Sequence, residues 1–209
     1  MKTASEKVVH RLILYKKLLK NFQSKSVRNI FSHNLAEHAS LNPAQIRRDL
    51  MLVGYDGSTV SGYNVNDLLF CIEKFLYPNE IQNVALIGLG NLGKSILDYC
   101  YGRHPIIAIN AIFEKDPNKI NRIICGTRCY HIDDLEIIVK KNSIKIAIIA
   151  ISSSVTETIA KRLIECGVKS IINYSNACLS FPAEIYVENR DMMFAVEKAA
   201  FFSKKEKEI

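Results

Sequence analysis

One stretch limits what this chain can fold into more than any other: Val84-Ala85-Leu86-Ile87-Gly88-Leu89-Gly90-Asn91-Leu92-Gly93-Lys94. An apolar run suited to a buried strand enters G-x-G-x-x-G, and a helical pattern follows. In such a loop the first glycine allows a tight turn, the second lets a pyrophosphate approach the backbone, and the third lets the helix pack close to the strand. The helix then turns its free N–H groups toward an anion. The spacing therefore predicts a dinucleotide cradle with Gly88, Leu89, Gly90, Asn91, Leu92 and Gly93 as candidate contacts. Glycine triplets also occur in ordinary turns; the strand before and the helix after are the context that the motif requires.

The residues downstream continue the same pattern. A helix over about 91–101 leads to the apolar strand 106–113, which ends at Phe113 and Glu114, 21 residues beyond Gly93. An acidic side chain there can accept hydrogen bonds from ribose hydroxyls and repel a 2′-phosphate, which favours NAD over NADP. Lys115 next door offsets part of that repulsion. Two β-like pieces within 123–130, a helix over 133–141, and the unbroken β-branched run 146–151 follow. Such runs predict strands buried on both faces, as parallel sheets require.

Ile151 and Ser152, with Ser153 and Ser154, stand at the carboxyl end of that strand, the edge where open α/β sheets bind ligands. Either the hydroxyls meet ribose or nicotinamide, or they cap the helix 155–166. Further strands are expected at 169–174 and 183–187, a last helix at about 191–202, and a polar tail from Lys204 to Ile209. The alternation of strand and helix predicts a doubly wound α/β sheet.

The part before residue 79 has a different character. Of a net charge of +7, residues 1–78 carry +5, from 11 Lys/Arg against 6 Asp/Glu. That surplus suits either a polyanion partner or a solvated basic helix. Residues 5–19 place Val8, Val9, Leu12, Tyr15, Leu18 and Leu19 at helical spacing among lysines. A polar stretch, 23–28, leads to a short helix with Ser32 as its expected N-cap. A third helix has Asn42 as N-cap, Pro43 at its first position, Gln45 completing a capping box, and a stop at Gly54.

Ile46, Leu50 and Val53 form the apolar stripe of this third helix, so Gln45, Arg47 and Arg48 are expected to face outward. Two short helices joined tightly, the second presenting Gln and Arg, match a helix-turn-helix. Arginine can grip guanine or phosphate, and glutamine can pair with adenine. Residues 54–65 read as two short strands around a turn, a wing in which Ser58 and Tyr63 are further DNA-contact candidates. The alternative is a small interaction domain. A helix over 67–76 follows, and Pro78 and Asn79 mark a linker.

The six cysteines show neither C-x-x-C nor a zinc knuckle and are expected to be reduced thiols, mostly in the core. No metal site is assigned. No apolar run reaches the length of about 18 that suggests a membrane span, and no leader segment is evident, so a cytoplasmic protein is expected.

Taken together, these residues resemble the Rex redox-sensing transcriptional repressors along nearly the whole chain. The resemblance rests on His10-Arg11-Leu12, Leu35-Ala36, Gly62-Tyr63-Asn64-Val65, Asp116-Pro117, Gly167-Val168-Lys169 and Val187-Glu188-Asn189-Arg190-Asp191. Its most specific part is Ala44-Gln45-Ile46-Arg47-Arg48-Asp49-Leu50 ahead of Gly88-Leu89-Gly90-Asn91-Leu92-Gly93. The resemblance implies a winged-helix domain over 1–78, a Rossmann NAD(H)-binding domain over 79–190, and a swapped helix and tail over 191–209. It implies a homodimer bound to a palindromic double-stranded DNA operator with NAD⁺ or no ligand and released by NADH.

Under this resemblance Arg47 and Arg48 match DNA-contacting positions, and Gly88, Gly90, Leu92, Gly93 and Glu114 match the NAD cradle. Tyr99 matches a tyrosine of the redox switch, Asp191 its acidic partner, and Lys17 stands where the family has an arginine that pairs with that aspartate. The wing is not basic here, and Ala150-Ile151-Ser152 and Asn173-Tyr174-Ser175-Asn176 depart from the family's residues at what the resemblance makes the nicotinamide end. A small NAD-dependent dehydrogenase and a CoA-binding module are the rival readings. The first lacks length for a substrate domain, with His104 and His131 its nearest proton-transfer candidates, so no catalytic residue is assigned; the second leaves residues 1–78 unexplained.

Overall fold

The computed structural model describes residues 4–58, 60–77 and 81–203, with the backbone alone at Ser153. The chain forms two compact units, one up to Glu80 and one from Ile81. Thr59 of the wing, the linker residues Pro78 and Asn79, and the tail from Lys204 lie outside the described residues.

In the first unit, helix α1 (Glu6–Ser24) extends a turn beyond the expected pattern and buries Leu12, Tyr15 and Leu19. These positions recur every three or four residues and so share one face. Strand β1 (Asn29–Ile30), helix α2 (Ser32–Ala39) and helix α3 (Pro43–Leu52) follow. Strand β2 (Tyr63–Asn64) and helix α4 (Val65–Leu76) complete the unit. Leu35, Ile46, Leu50, Leu68 and Ile72 join the α1 residues in a single core, each contributing about 1.5–3 kcal/mol by leaving water. Asn42 caps α3 by accepting the Ala44 N–H at 2.8 Å, and Asn64 caps α4 through the Asn66 and Asp67 amides.

Three sequence expectations change here. Ser32 is the first residue of α2 and not its cap; Asn34 Oδ1 accepts the Phe31 N–H at 3.0 Å instead. Among the described residues the wing is an antiparallel bridge, Ser58 to Gly62, and its outgoing residues pair with β1, just beyond the stretch read as polar. That pairing also takes Tyr63 off the surface: opposite Ile30, its side chain is 9% exposed and belongs to the core, so it is withdrawn as a DNA contact. Gly62, at φ +71°, is required there, because an added Cβ would lie 2.6 Å from the Ile30 carbonyl.

The second unit begins with β3 (Gln82–Ile87), α5 (Asn91–Cys100) and β4 (Ile107–Glu114). A hairpin of β5 (Ile123–Ile124) and β6 (Thr127–His131) precedes a 3₁₀ turn (Ile132–Asp134) and α6 (Leu135–Lys141). Then come β7 (Ile146–Ile149), α7 (Thr156–Glu165), β8 (Ser170–Asn173), β9 (Tyr186–Asn189) and α8 (Met192–Ser203). The strand order is β5-β6-β4-β3-β7-β8-β9, parallel throughout except for the β5–β6 hairpin.

Alternate residues of β3 feed opposite faces of this sheet. Ala85 and Ile87 join one core with Ala111, Phe113, Ala147 and Ile149, whereas Val84 and Leu86 join another with Ile112 and Ile148. Both faces are covered, which explains the unbroken apolar runs. The last strand starts three residues later than expected, because a turn closed by the Ile185 N–H on the Pro182 carbonyl takes its place. Of the six cysteines only Cys129 is fully buried, so the expectation that most lie in the core does not hold. None of the described helices is long and apolar enough to cross a membrane.

Candidate nucleotide cradle and nucleic-acid interface

β3 has β4 on one side and β7 on the other, which puts the glycine loop at the point where the strand order reverses and where open sheets leave a crevice. Each glycine has a distinct reason to be there. Gly88 has φ +92°, and a Cβ on it would lie 2.5 Å from Ile151 Cγ2. A Cβ on Gly93 would lie 2.0 Å from the Gly88 carbonyl oxygen, so the first turn of α5 sits directly on the loop. Gly90, the N-cap of α5, faces open space: a Cβ there meets nothing within 4 Å. An anion can therefore approach the helix N-terminus on the Gly90 side, where free N–H groups and the helix dipole favour it.

Glu114 ends β4 beside this loop. Its Oε2 accepts the Leu89 N–H at 2.8 Å, and its Oε1 accepts the N–H groups of Lys115 at 2.7 Å and Asp116 at 3.3 Å. Burial opposes the charge, but these amide bonds outweigh it and hold the carboxyl below the usual glutamate range. Lys119, which sequence reasoning did not single out, returns to the same place. Its Nζ donates to the Leu89 carbonyl at 3.1 Å and lies 3.8 Å from Glu114 Oε2. The Asp116-Pro117 pair announces a turn, which Asp116 Oδ1 closes on the Asn118 amide; nothing in the pattern says that Lys119 folds back.

A cavity of about 240 Å³ opens between these elements, lined by Gly88, Phe113, Glu114, Ile132, Ile151 and Arg162 among others. The structure gathers Ile151, expected at the nicotinamide end, in one cavity with Glu114, the residue expected at the adenosine ribose. The reason is the short β7, which ends at Ile149 and lets Ile151 turn back over Gly88. Arg162 also escaped notice in the sequence. Its guanidinium makes a two-point pair with Glu136, at 2.5 and 3.0 Å, and forms one wall. Ser152 is exposed, and the N-cap position of α7 is Val155, which has no side-chain cap bond. The buried Thr156 instead donates its hydroxyl to the Ser152 carbonyl. Asn91 and Leu92 are exposed in the first turn of α5.

In the first unit, Arg47 and Arg48 are exposed on α3, and Arg47 donates to the Ser32 hydroxyl of α2 at 3.1 Å. Gln45 does not complete the expected capping box: its amide donates to Asp49 Oδ1 at 2.9 Å, which leaves its second N–H and its Oε1 for other partners. The Ser58 hydroxyl accepts the Val60 and Ser61 amides and shapes the wing turn. The three switch candidates have these settings. Lys17 is exposed on α1. Tyr99 is 65% exposed on α5, with the Arg103 guanidinium 4.2 Å above its ring. Asp191 accepts the Met193 N–H at 2.8 Å and so caps α8. His131 Nδ1 likewise accepts the Asp133 N–H and caps the 3₁₀ turn. No group of three or more His, Cys, Asp or Glu able to hold a metal occurs among the described residues.

Comparison with known proteins bears on both units. Residues 4–50 match the family described as putative DNA-binding protein N-terminus, and residues 79–177 match the CoA binding domain family. A redox-sensing transcriptional repressor Rex of Anoxybacillus flavithermus is 35% identical over 93% of this chain and 91% of its own length. One of Desulfitobacterium hafniense is 35% identical over 94% and 93%. Among solved structures, the Rex-family repressor RSP in complex with β-NAD⁺ and operator DNA matches with a TM-score of 0.89 and 27% identity, over 99% of this chain and 95% of that one. RSP in complex with β-NADH matches at 0.86 and 26%, over 99% and 97%.

Proposed function

The chain belongs to the Rex family of redox-sensing transcriptional repressors, and from that premise we propose that it represses by binding operator DNA through α3 and reports the NADH/NAD⁺ ratio through the crevice at Gly88–Gly93. The nucleotide is an effector in this reading, not a substrate. The observation that carries the reading is the presence in one chain of an open Gly90 before a helix N-terminus and a capped helix presenting Arg47 and Arg48.

The geometry supports these residue roles. Gly88, Gly90 and the N-terminal turn of α5 take the pyrophosphate, with Leu89, Asn91, Leu92 and Gly93 forming the loop around it. Glu114 meets the adenosine ribose, while Phe113 and Ile151 flank it in the cavity. Ser152, exposed at the same sheet edge, reaches toward the rest of the ligand. Arg47 and Arg48 contact DNA, with Ser58 as a lesser contact from the wing.

The second copy enters through α8. None of its residues is buried in the single chain, and Met192, Met193, Phe194, Val196, Phe201 and Phe202 are all exposed. An apolar helix with no core of its own is suited to exchange between two protomers. Lys17, Tyr99 and Asp191 form the switch in this reading. Because the two ligands differ only at the nicotinamide, a shift between DNA-binding and released forms equals their difference in affinity for those forms.

The test is a fluorescence anisotropy titration of a palindromic operator at stated salt, with NAD⁺, NADH, NADPH and CoA added in turn. NADH alone releasing the operator is the expected result. CoA binding more tightly than NADH would favour the module that the family match at 79–177 suggests, and turnover of NADH with small carbonyl compounds would favour a dehydrogenase.

A further inference from the structure

The most heavily bonded carboxylate among the described side chains belongs to the first unit. Asp49, on α3, is 3% exposed and accepts from Arg11 Nε at 2.6 Å, Arg11 Nη2 at 2.7 Å, the Tyr15 hydroxyl at 2.8 Å and Gln45 Nε2 at 2.9 Å. Two of these three donor residues belong to α1. Replacing a buried ion pair by apolar side chains of similar volume is often neutral or stabilising. Stability alone is therefore a poor account of this arrangement; what a planar two-point fork supplies is direction.

The direction matters because of what stands beside Asp49. Arg47 and Arg48 are its immediate predecessors, and successive helix residues are about 100° apart around the axis. Holding Asp49 inward at four points therefore turns the two arginines outward at a set angle. Ile46 and Leu50, the apolar contacts of the same helix, would accept a few degrees of rotation; the Arg11 fork would not.

We propose that Asp49 is the positioning residue of the DNA-reading helix, clamped by Arg11 and Tyr15 of α1 so that Arg47 and Arg48 enter the groove in one register. This rests on the reading of α3 as the operator-contacting element. Base-edge contacts depend on such alignment, whereas phosphate contacts tolerate its loss. Loosening the clamp should thus cost sequence discrimination more than general DNA affinity.

The experiment uses the full chain, well below its unfolding temperature, with an operator duplex selected from random sequence by the wild type and a scrambled duplex of equal length. Arg11→Lys keeps the charge and loses the fork, and Tyr15→Phe removes one bond of the four; both are checked for folding by circular dichroism. Arg11→Lys should weaken operator binding about tenfold, in the range of one lost directional base contact. Binding of the scrambled duplex should change by less than about twofold, and NADH affinity should stay at the wild-type value. Tyr15→Phe should shift the operator-to-scrambled ratio the same way by less. Operator and scrambled affinities falling together, or a wild-type ratio in both variants, would overturn the clamp alone. A wild type that finds no preferred duplex would overturn the operator reading and the clamp with it.

Discussion

Glu114 Oε2 accepts the Leu89 amide hydrogen across 2.8 Å, so the carboxylate that ends β4 pins the glycine loop that follows β3. One side chain thereby shapes the loop and, in the proposed reading, supplies the negative charge at the ribose end. Glu114→Gln removes the charge and leaves one amide facing another donor. Charge-assisted hydrogen bonds contribute about 1.5–3 kcal/mol, so NADH affinity should fall by tenfold or more, and the preference for NADH over NADPH should narrow. Calorimetric titration with both nucleotides reads this out; an unchanged preference would remove Glu114 from the ribose end.

Gly90 and Gly93 differ in what an added methyl group would meet, and that separates ligand crowding from misfolding. Gly90→Ala places its Cβ in open space and should leave the melting temperature near the wild-type value while NADH binding is lost. Gly93→Ala drives its Cβ to 2.0 Å from the Gly88 carbonyl and should lower the melting temperature whether or not ligand is present. Equal thermal shifts for the two variants would contradict the assignment of Gly90 to the ligand side.

Arg47→Ala should weaken operator binding by about 1–3 kcal/mol if the guanidinium reads a base edge. If it grips a phosphate instead, the loss should be uniform across sequences and the salt dependence should flatten by about one unit of slope. In both cases NADH affinity should be unaffected. Anisotropy titrations at three salt concentrations distinguish the two.

What the sequence disclosed follows from how local each cause is. The glycine loop, the Asn42 cap and the β-branched runs are set by neighbours in the chain, and each stands where its spacing placed it. The pairing of Asn29–Ile30 with Tyr63–Asn64 joins segments more than thirty residues apart through two residues of each, too little for a period to register. Tyr63 followed that pairing into the core. The bond that replaces the expected Gln45 capping box is hidden for a related reason, because Asp49 turns inward toward Arg11 and Tyr15 of another helix. Lys119 and Arg162 reach the crevice through a turn and a helix face that carry no motif.

Asp49 also makes a pH prediction. Burial favours its protonated form, but the bonds from Arg11, Tyr15 and Gln45 outweigh that and depress its folded pKa. Burial and the bond to Asp49 raise that of the Tyr15 phenol. A depressed folded pKa stabilises the fold fully above the unfolded value, about 3.9 for aspartate, and that stabilisation is lost as pH falls through the folded value. The difference in unfolding free energy between wild type and Asp49→Asn should therefore be level from about pH 5 to 7 and shrink below about pH 4. Urea titrations of both proteins across that range test it; a difference that stays constant into acid would mean that the carboxyl is not ionised in the fold.

If α8 is exchanged between two copies as proposed, Phe194→Glu combined with Phe201→Glu should leave the second unit folded and give a monomer in sedimentation where the wild type gives a dimer, since both side chains are exposed on α8 in the single chain. The monomer should retain NADH binding, because no residue assigned to the cradle lies on that helix.

The inward turn of Asp49 divides the reading helix into two vocabularies. Ile46, Asp49 and Leu50 belong to the fold, and changing them disturbs the whole first unit. Arg47 and Arg48 are exposed, and Arg47 spends one bond on the Ser32 hydroxyl of α2. Under the proposed operator contact, a lineage, or an engineer, could retarget such a protein to new promoters by editing two adjacent codons, with its metabolic input left intact.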